Sequence, residues 1–533
     1  MKGLISSLVF FLPSLLSSNN IEYMPFDWGY QFGYLNNNGM IMWGEDWKSK
    51  KLLFDGTWSI FPPMYGKNIE EGFLNDSANE ISLDKSNVTS IIKYHQGDYG
   101  LDKFSIGIDY FKDNRHLKLF GFKRTYLGNV NQYYINTLQP QQQSYTLSIE
   151  SFDTDANTGM TIGHFNTLAG FPDTVTNGIF DNRITSLNYF WGKKIGSLFF
   201  ELIMDQFLQR YKAVHSLSFY DKSRYLNRSI YKAEVTSSIN SIPILLGLRK
   251  NNRSTVLDST VNTGWYDIYS TLRWEFINIS TDITKYENQF FYNYNIIIDK
   301  KFRNVKINIL NRTRSLPVHP YYVYNTRDTK NPKFYHEFFH YGYVEWGGLK
   351  DKFSLMMSAT EVQQRLGQIS SSMQNQYSNV KVTYSRNINP SLDISLYSNI
   401  MSTENYYSGG IGKDIGMVFQ SQFSLFNNFM KIELNSEVKH LFDRVNYSII
   451  NPIEMIPMVI NKNDQGELTP ATLINGDLKI KVSSAIFEFR WINISEIIWS
   501  SIQSNKNNFI VLHPNMPTMG RQINFSINWV FQD

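Results

Sequence analysis

Apolar and polar residues alternate one for one along much of the chain. Near the end, Ile523, Phe525, Ile527, Trp529 and Phe531 are separated by Asn524, Ser526, Asn528 and, as the one exception, Val530. The same period of two recurs in Leu478, Ile480 and Val482 against Lys479 and Lys481, and in Phe487, Phe489 and Trp491 against Glu488 and Arg490. It returns in Met430, Ile432 and Leu434 against Lys431 and Glu433, in Val380, Val382 and Tyr384 against Lys381, and in Val305, Ile307 and Ile309 against Lys306. Near the front, Phe104, Ile106, Ile108 and Tyr110 alternate with Ser105, Gly107 and Asp109. A period of two puts successive side chains on opposite faces of a strand, so each segment has one apolar face and one that carries whole charges.

The connections decide which media these faces meet. Short ones fall at Asp113 to Arg115, Gly192 to Gly196, Asp299 to Arg303, Gly347 to Asp351, Asn387 to Ser391, Asn427 and Asn428, and Ser483 and Ser484. Long polar ones lie between them, about Leu127 to Gln143, Leu168 to Arg183, Arg312 to Lys333, Gln363 to Tyr377, Ser402 to Lys413 and Asn446 to Thr472. Alternating short turns and long loops are the mark of an up-and-down transmembrane barrel, with the short turns on the periplasmic side. The chain is therefore expected to be all-β, a transmembrane antiparallel barrel of about 22 strands, with 18 to 20 left open. The weak stretch is Tyr211 to Gly264, where Ile239 to Ser241 makes a short turn at an expected loop, and Asn251 to Thr263 makes a long connection at an expected turn. No blade-length repeat of a propeller is found.

Composition fits this reading. Aromatics make up 15% of the 533 residues and charged residues only 18%, as strands with two unlike faces and interfacial aromatic girdles require. The start has Lys2, an apolar run from Leu4 to Leu16, and Ser17 and Ser18 before Asn19. It reads as a secretory signal. No cysteine is present, which excludes a disulfide framework and a cysteine-linked lipid anchor. The net charge of +4 is small and scattered, which argues against a nucleic-acid partner. The expected division is residues 1–18 as signal, 19–87 as an N-terminal segment, and 88–533 as the barrel.

The last two segments also carry a resemblance. "IFEFRWINI" (Ile486 to Ile494), followed by "HPNMPTMGRQINFSINWVF" (His513 to Phe531), resembles the closing hairpin of TonB-dependent receptor barrels. Pro514, Pro517, Gly520 and Arg521 match that family's proline, glycine and arginine loop in a looser spacing. The resemblance implies an outer-membrane barrel whose last strand, through Phe525, Trp529 and Phe531, is read by the barrel-assembly machinery. Family members carry a plug of well over a hundred residues, whereas only 19–87 precede the first strand placed here. Within it, Phe26 to Trp47, aromatic and Gly-rich, leaves three readings open: a small partial plug, a periplasmic tail, or an extra strand pair.

Candidate chemistry is sparse. "HEFFH", His336 to His340, fits the H-E-x-x-H pattern of zinc peptidases, with Glu361 as a third ligand and Glu337 as general base. That chemistry needs a helix, whereas the flanking aromatics and glycines favour a strand, on which the two histidines lie about 13 Å apart. No metal, cofactor or enzymatic activity is expected. Lys306, Lys381, Lys431, Glu433, Lys479, Lys481, Glu488 and Arg490 are expected to line the lumen, where they either select solutes or simply hydrate a polar wall. The expected function is a channel admitting a small solute across the outer membrane, in contact with outer-membrane lipid. The alternatives are a TonB-coupled barrel that uses a separate plug or TonB-type partner, and a zinc hydrolase.

Overall fold

The computed structural model describes residues 87–532 apart from parts of the connections, namely 128–140, 171–178, 215–223, 257–259, 318–333, 364–373, 402–412, 452–455, 460–466, 496–520 and a few single positions beside them, together with two short strands, Tyr34–Leu35 and Ile41–Met42. The expected signal 1–18 and the Phe26 to Trp47 region lie outside the described residues, those two strands apart. Twenty-two strands form one closed barrel in which each strand pairs with its sequence neighbours. The ring closes where the last strand, Gln522–Gln532, pairs antiparallel with the first, Asn87–Gly97, from Asn524 opposite Gly97 to Gln532 opposite Thr89. The strand number and the antiparallel closure agree with the sequence reading. Closure removes the free sheet edges, so the ladders pair backbone donors and acceptors within the protein, as a lipid surround demands.

Turns of two to four residues join strands at one end, here called the turn end. Asp113 and Asn114, and Asn240 and Ser241, have positive φ at both positions, the form whose twist matches antiparallel strands. At Ser483 and Ser484, Val482 pairs with Ala485 across the turn. The other end carries the long connections, but it also has short ones. Asp98–Gly100 and 257–259 are three residues long, and Tyr286 pairs directly with Gln289. The strict short and long alternation read from the sequence is therefore broken three times at this loop end.

The weak stretch resolves into ordinary strands. Arg224–Ile239, Ile242–Val256 and Thr260–Trp274 run 15 or 16 residues each, and the supposed long connection Asn251 to Thr263 is mostly paired ladder, with Asn252 opposite Gly264 and Val256 opposite Thr260. A strand of 17 residues such as Leu198–Val214 spans about 55 Å along its axis, whereas the apolar band is about 25 Å tall. Above the band the outward positions need not be apolar, so alternation fades while pairing continues.

The two faces separate cleanly. On Leu101–Lys112, Phe104, Ile106 and Ile108 are exposed at 40 to 48%, while Lys103 and Ser105 are buried. The first set faces outward and the second inward. One outward row runs Tyr231, Lys250, Tyr266, Lys285 and Phe290 across five neighbouring strands, with the Lys250 ammonium 5.6 Å from the Tyr266 ring centre and that of Lys285 5.8 Å from Phe290. Below the row the outward positions are Leu248, Leu246, Ile268 and Ile283, and beyond it Asn252 and Ser254, so it marks an upper border of the apolar band.

Candidate solute path along the inner wall

Inward positions build two different kinds of wall. Along the strands from Ile179–Ile195 to Gln289–Phe302, the buried carboxylates are satisfied by neighbouring polar side chains. Asn188 donates to Asp205, and Lys232 lies 3.7 Å from the same carboxylate. Asp267, 1% exposed, accepts from Arg249 Nε at 2.6 Å, Asn251 Nδ2 at 2.8 Å and Thr284 Oγ1 at 2.7 Å. Asp282 accepts from Asn293 at 2.7 Å and Thr284 at 3.2 Å. A buried carboxylate is tolerable only when its lone pairs are filled in this way, which makes this ladder a structural element.

A close-approach device recurs on both sides of the barrel. The Tyr269 ring lies over Gly247 on the next strand, and its hydroxyl donates to Glu234 on the strand beyond. The Tyr397 ring lies over Gly416, and its hydroxyl donates to Glu437 at 2.5 Å. A methyl group at Gly247 or Gly416 would stand 2.2 or 2.4 Å from the ring, so only glycine lets the ring lie flat against the wall.

Six of the eight expected lumen residues sit together on three adjacent strands, Met430–Phe442, Ala471–Val482 and Ala485–Ile492. Lys479 Nζ lies 3.2 Å from Asp477 and 3.9 Å from Glu488. Glu488 also accepts from Arg490 at 3.0 Å and Ser526 at 3.2 Å. Lys431, Glu433 and Lys481 are exposed. Lys431 stands directly opposite Lys481, and Glu433 opposite Lys479. The other two lie elsewhere on the inner face. Lys306 is opposite Lys301 and Glu345, and the Lys381 ammonium sits 4.6 Å over the Tyr397 ring. On the last strand Phe525, Trp529 and Phe531 are 43 to 47% exposed on the outer face, while Ser526 is buried.

The zinc pattern does not assemble. His336, Glu337 and His340 lie on the strand Phe334–Gly347, not on a helix. His336 Nδ1 is 2.6 Å from Ser315 Oγ, and its ring meets Phe291 edge-on. His340 is exposed opposite Ala359, and Glu361 pairs with Phe338. Among the described residues no group of three His, Cys, Asp or Glu side chains is placed to hold a metal.

Sequence reasoning passed over Asp205, Arg249, Asp267, Thr284 and Asn293. Their signal was parity alone, since they occupy inward positions of strands whose outward residues are apolar lower down. The glycine and tyrosine pairs gave none, because partners on different strands meet only through register.

No family description matches the sequence, and no curated protein is similar to it in sequence. Solved structures with the same fold do exist. The FrpB iron transporter from Neisseria meningitidis superposes with a TM-score of 0.62 at 8% identity, over 86% of this chain and 83% of that one. A ferric enterobactin receptor (PfeA) mutant from Pseudomonas aeruginosa gives 0.60 at 7% identity, over 84% and 80%. The ferric yersiniabactin uptake receptor FyuA from Yersinia pestis gives 0.55 at 8%, over 83% and 80%. The chain thus has the outer-membrane barrel fold of the TonB-dependent receptors that its closing hairpin resembles. A closed barrel of this size with an apolar outer face is an outer-membrane structure.

Proposed function

We propose that the chain admits small solutes across the bacterial outer membrane by diffusion along the inner wall of the barrel. The observation that carries the reading is the exposed, charged inner face at Lys431, Glu433 and Lys481, inside a ring of 22 strands too wide for wall side chains to fill. Lys306, Lys381, Lys479, Glu488 and Arg490 complete the polar lining. Phe525, Trp529 and Phe531 present the outward aromatic series that the barrel-assembly machinery would read, and the same face meets outer-membrane lipid. Swelling of liposomes that hold the refolded full chain, in sugars of graded size, tests the reading. The expected result is swelling that slows as the sugar grows. Swelling no faster than in empty liposomes contradicts it.

A second reading has one specific support. The structures of like fold named above are an iron transporter and uptake receptors. In that reading a separate plug or TonB-type partner drives uptake, and the purified barrel passes solute only when the partner is added. The hydrolase reading lacks support, because its residues lie on a strand and not on the helix that the motif requires.

A further inference from the structure

We propose that Lys431 and Lys481 form an anion-binding step at the turn end of the inner wall, for solutes that carry two or more phosphate or carboxylate groups. This rests on reading the inner wall as a solute path and names the class of solute. Lys431 stands directly opposite Lys481, and the same row continues through Ile486 and Asn528 to Lys93. Three lysines thus share one row of five strands without a carboxylate in it. Like charges facing each other across a strand pair, with Cβ atoms about 5 Å apart, destabilise the sheet. Such a pair calls for a compensating anion or full exposure to water, and both of these side chains are exposed.

The nearby carboxylates are mostly engaged. In the next row up, Glu488 accepts from Arg490 and Ser526 and faces Lys479. Asp477 accepts from Asn435 at 3.1 Å and pairs with Lys479 at 3.2 Å. Glu433, exposed, is the nearest acid to Lys431 on its own strand. Among the described residues neither Lys431 nor Lys481 has an ion-pair partner. On the inner face of the three strands Met430–Phe442, Ala471–Val482 and Ala485–Ile492, Lys431, Lys439, Lys479, Lys481 and Arg490 stand against Glu433, Glu437, Asp477 and Glu488, an excess of one positive charge.

Lys301 also faces Lys306, but Lys306 has Glu345 on its other side, and four further inward lysines are held differently. Lys103 and Lys439 are 2% and 1% exposed, Lys232 faces Asp205, and Lys381 rests on Tyr397. Two lysines whose Cβ atoms stand about 5 Å apart on one face can bring both ammonium groups to a single diphosphate or short dicarboxylate, and lysine binds such groups as a point charge.

Calorimetric titration of inorganic pyrophosphate into the refolded full chain in detergent micelles tests the proposal. The wild type should bind, more weakly as salt is raised. The double variant Lys431→Gln/Lys481→Gln should lose at least tenfold in affinity, while Lys285→Gln on the outer face should lose nothing. Heat-dependent gel migration establishes that each variant is folded. Absence of binding to the wild type, or equal binding by the double variant, overturns the proposal. The readout does not depend on conduction. A barrel that passes no sugar yet binds pyrophosphate at these lysines removes the diffusion reading and keeps the anion step, while a permeable barrel that ignores pyrophosphate does the reverse.

Discussion

The flank from Ile179 to Trp274 and the closing strands from Met430 to Gln532 are built from the same alternation but end in different chemistry. On the flank the strands run 15 to 17 residues, and ladders such as Ile179 opposite Val214 to Ile195 opposite Leu198 are paired from end to end. In the closing region Ala485–Ile492 has 8 residues, paired with its predecessor only from Gly476 opposite Trp491 to Val482 opposite Ala485. Asp205 and Asp267 on the flank are buried and filled with donors, whereas the closing strands, beside a buried Glu488, keep Lys431, Glu433 and Lys481 in water. Neighbouring strands bring three donors to Asp267 but set Lys431 against Lys481.

Changes on the outer face of the closing strand should have the largest effect. Phe525→Arg puts a charge into the lipid band and should cost about 4 kcal/mol, enough to block insertion into vesicles, while Asn524→Asp on the opposite face should insert normally. Refolding yield by heat-dependent gel migration measures both, and equal yields would break the assignment of faces.

Asp267→Ala tests the flank. It removes three hydrogen bonds and leaves Arg249 facing a cavity. Since the Arg249 side chain is 33% exposed, the loss should be about 3 kcal/mol and not more. The urea midpoint of the detergent-folded barrel reports it. Glu488→Ala at the closure should lose less, about 1 kcal/mol, because Lys479 keeps Asp477 and Arg490 reaches water. A larger loss at Glu488 than at Asp267 would overturn the contrast between the two walls. Between them in size, Gly416→Ala should cost about 2 kcal/mol by pushing Tyr397 off the wall, with Lys381 losing its aromatic support.

The architecture was legible because membrane strands write their two faces into adjacent residues. Ile523 to Phe531 needs no knowledge of its neighbours to be read as a strand with unlike sides, and Ser483 and Ser484 needed only the change of parity around them. The flank was harder. Asn251 to Thr263 looks like a loop because its outward positions stand above the lipid band, where Asn252 and Ser254 serve as well as leucine. The inner wall was legible as polar but not as divided. Asp267 and Glu433 look alike in sequence, and only register, which gives Asp267 three donors and leaves Glu433 exposed, separates a structural carboxylate from one in the path. His336 to His340 misled in the opposite sense, since a motif that requires a helix lies on a strand.

The central claim is that this barrel conducts through its own lumen past a cationic exit. Single-channel recording of the purified full chain in planar bilayers, under a potassium chloride gradient, tests it most directly. The account predicts stepwise conductance without any added partner and a reversal potential favouring chloride, shifted toward potassium in Lys431→Glu/Lys481→Glu. Electrical silence of the folded wild type at all voltages, or conductance that favours potassium, would contradict it.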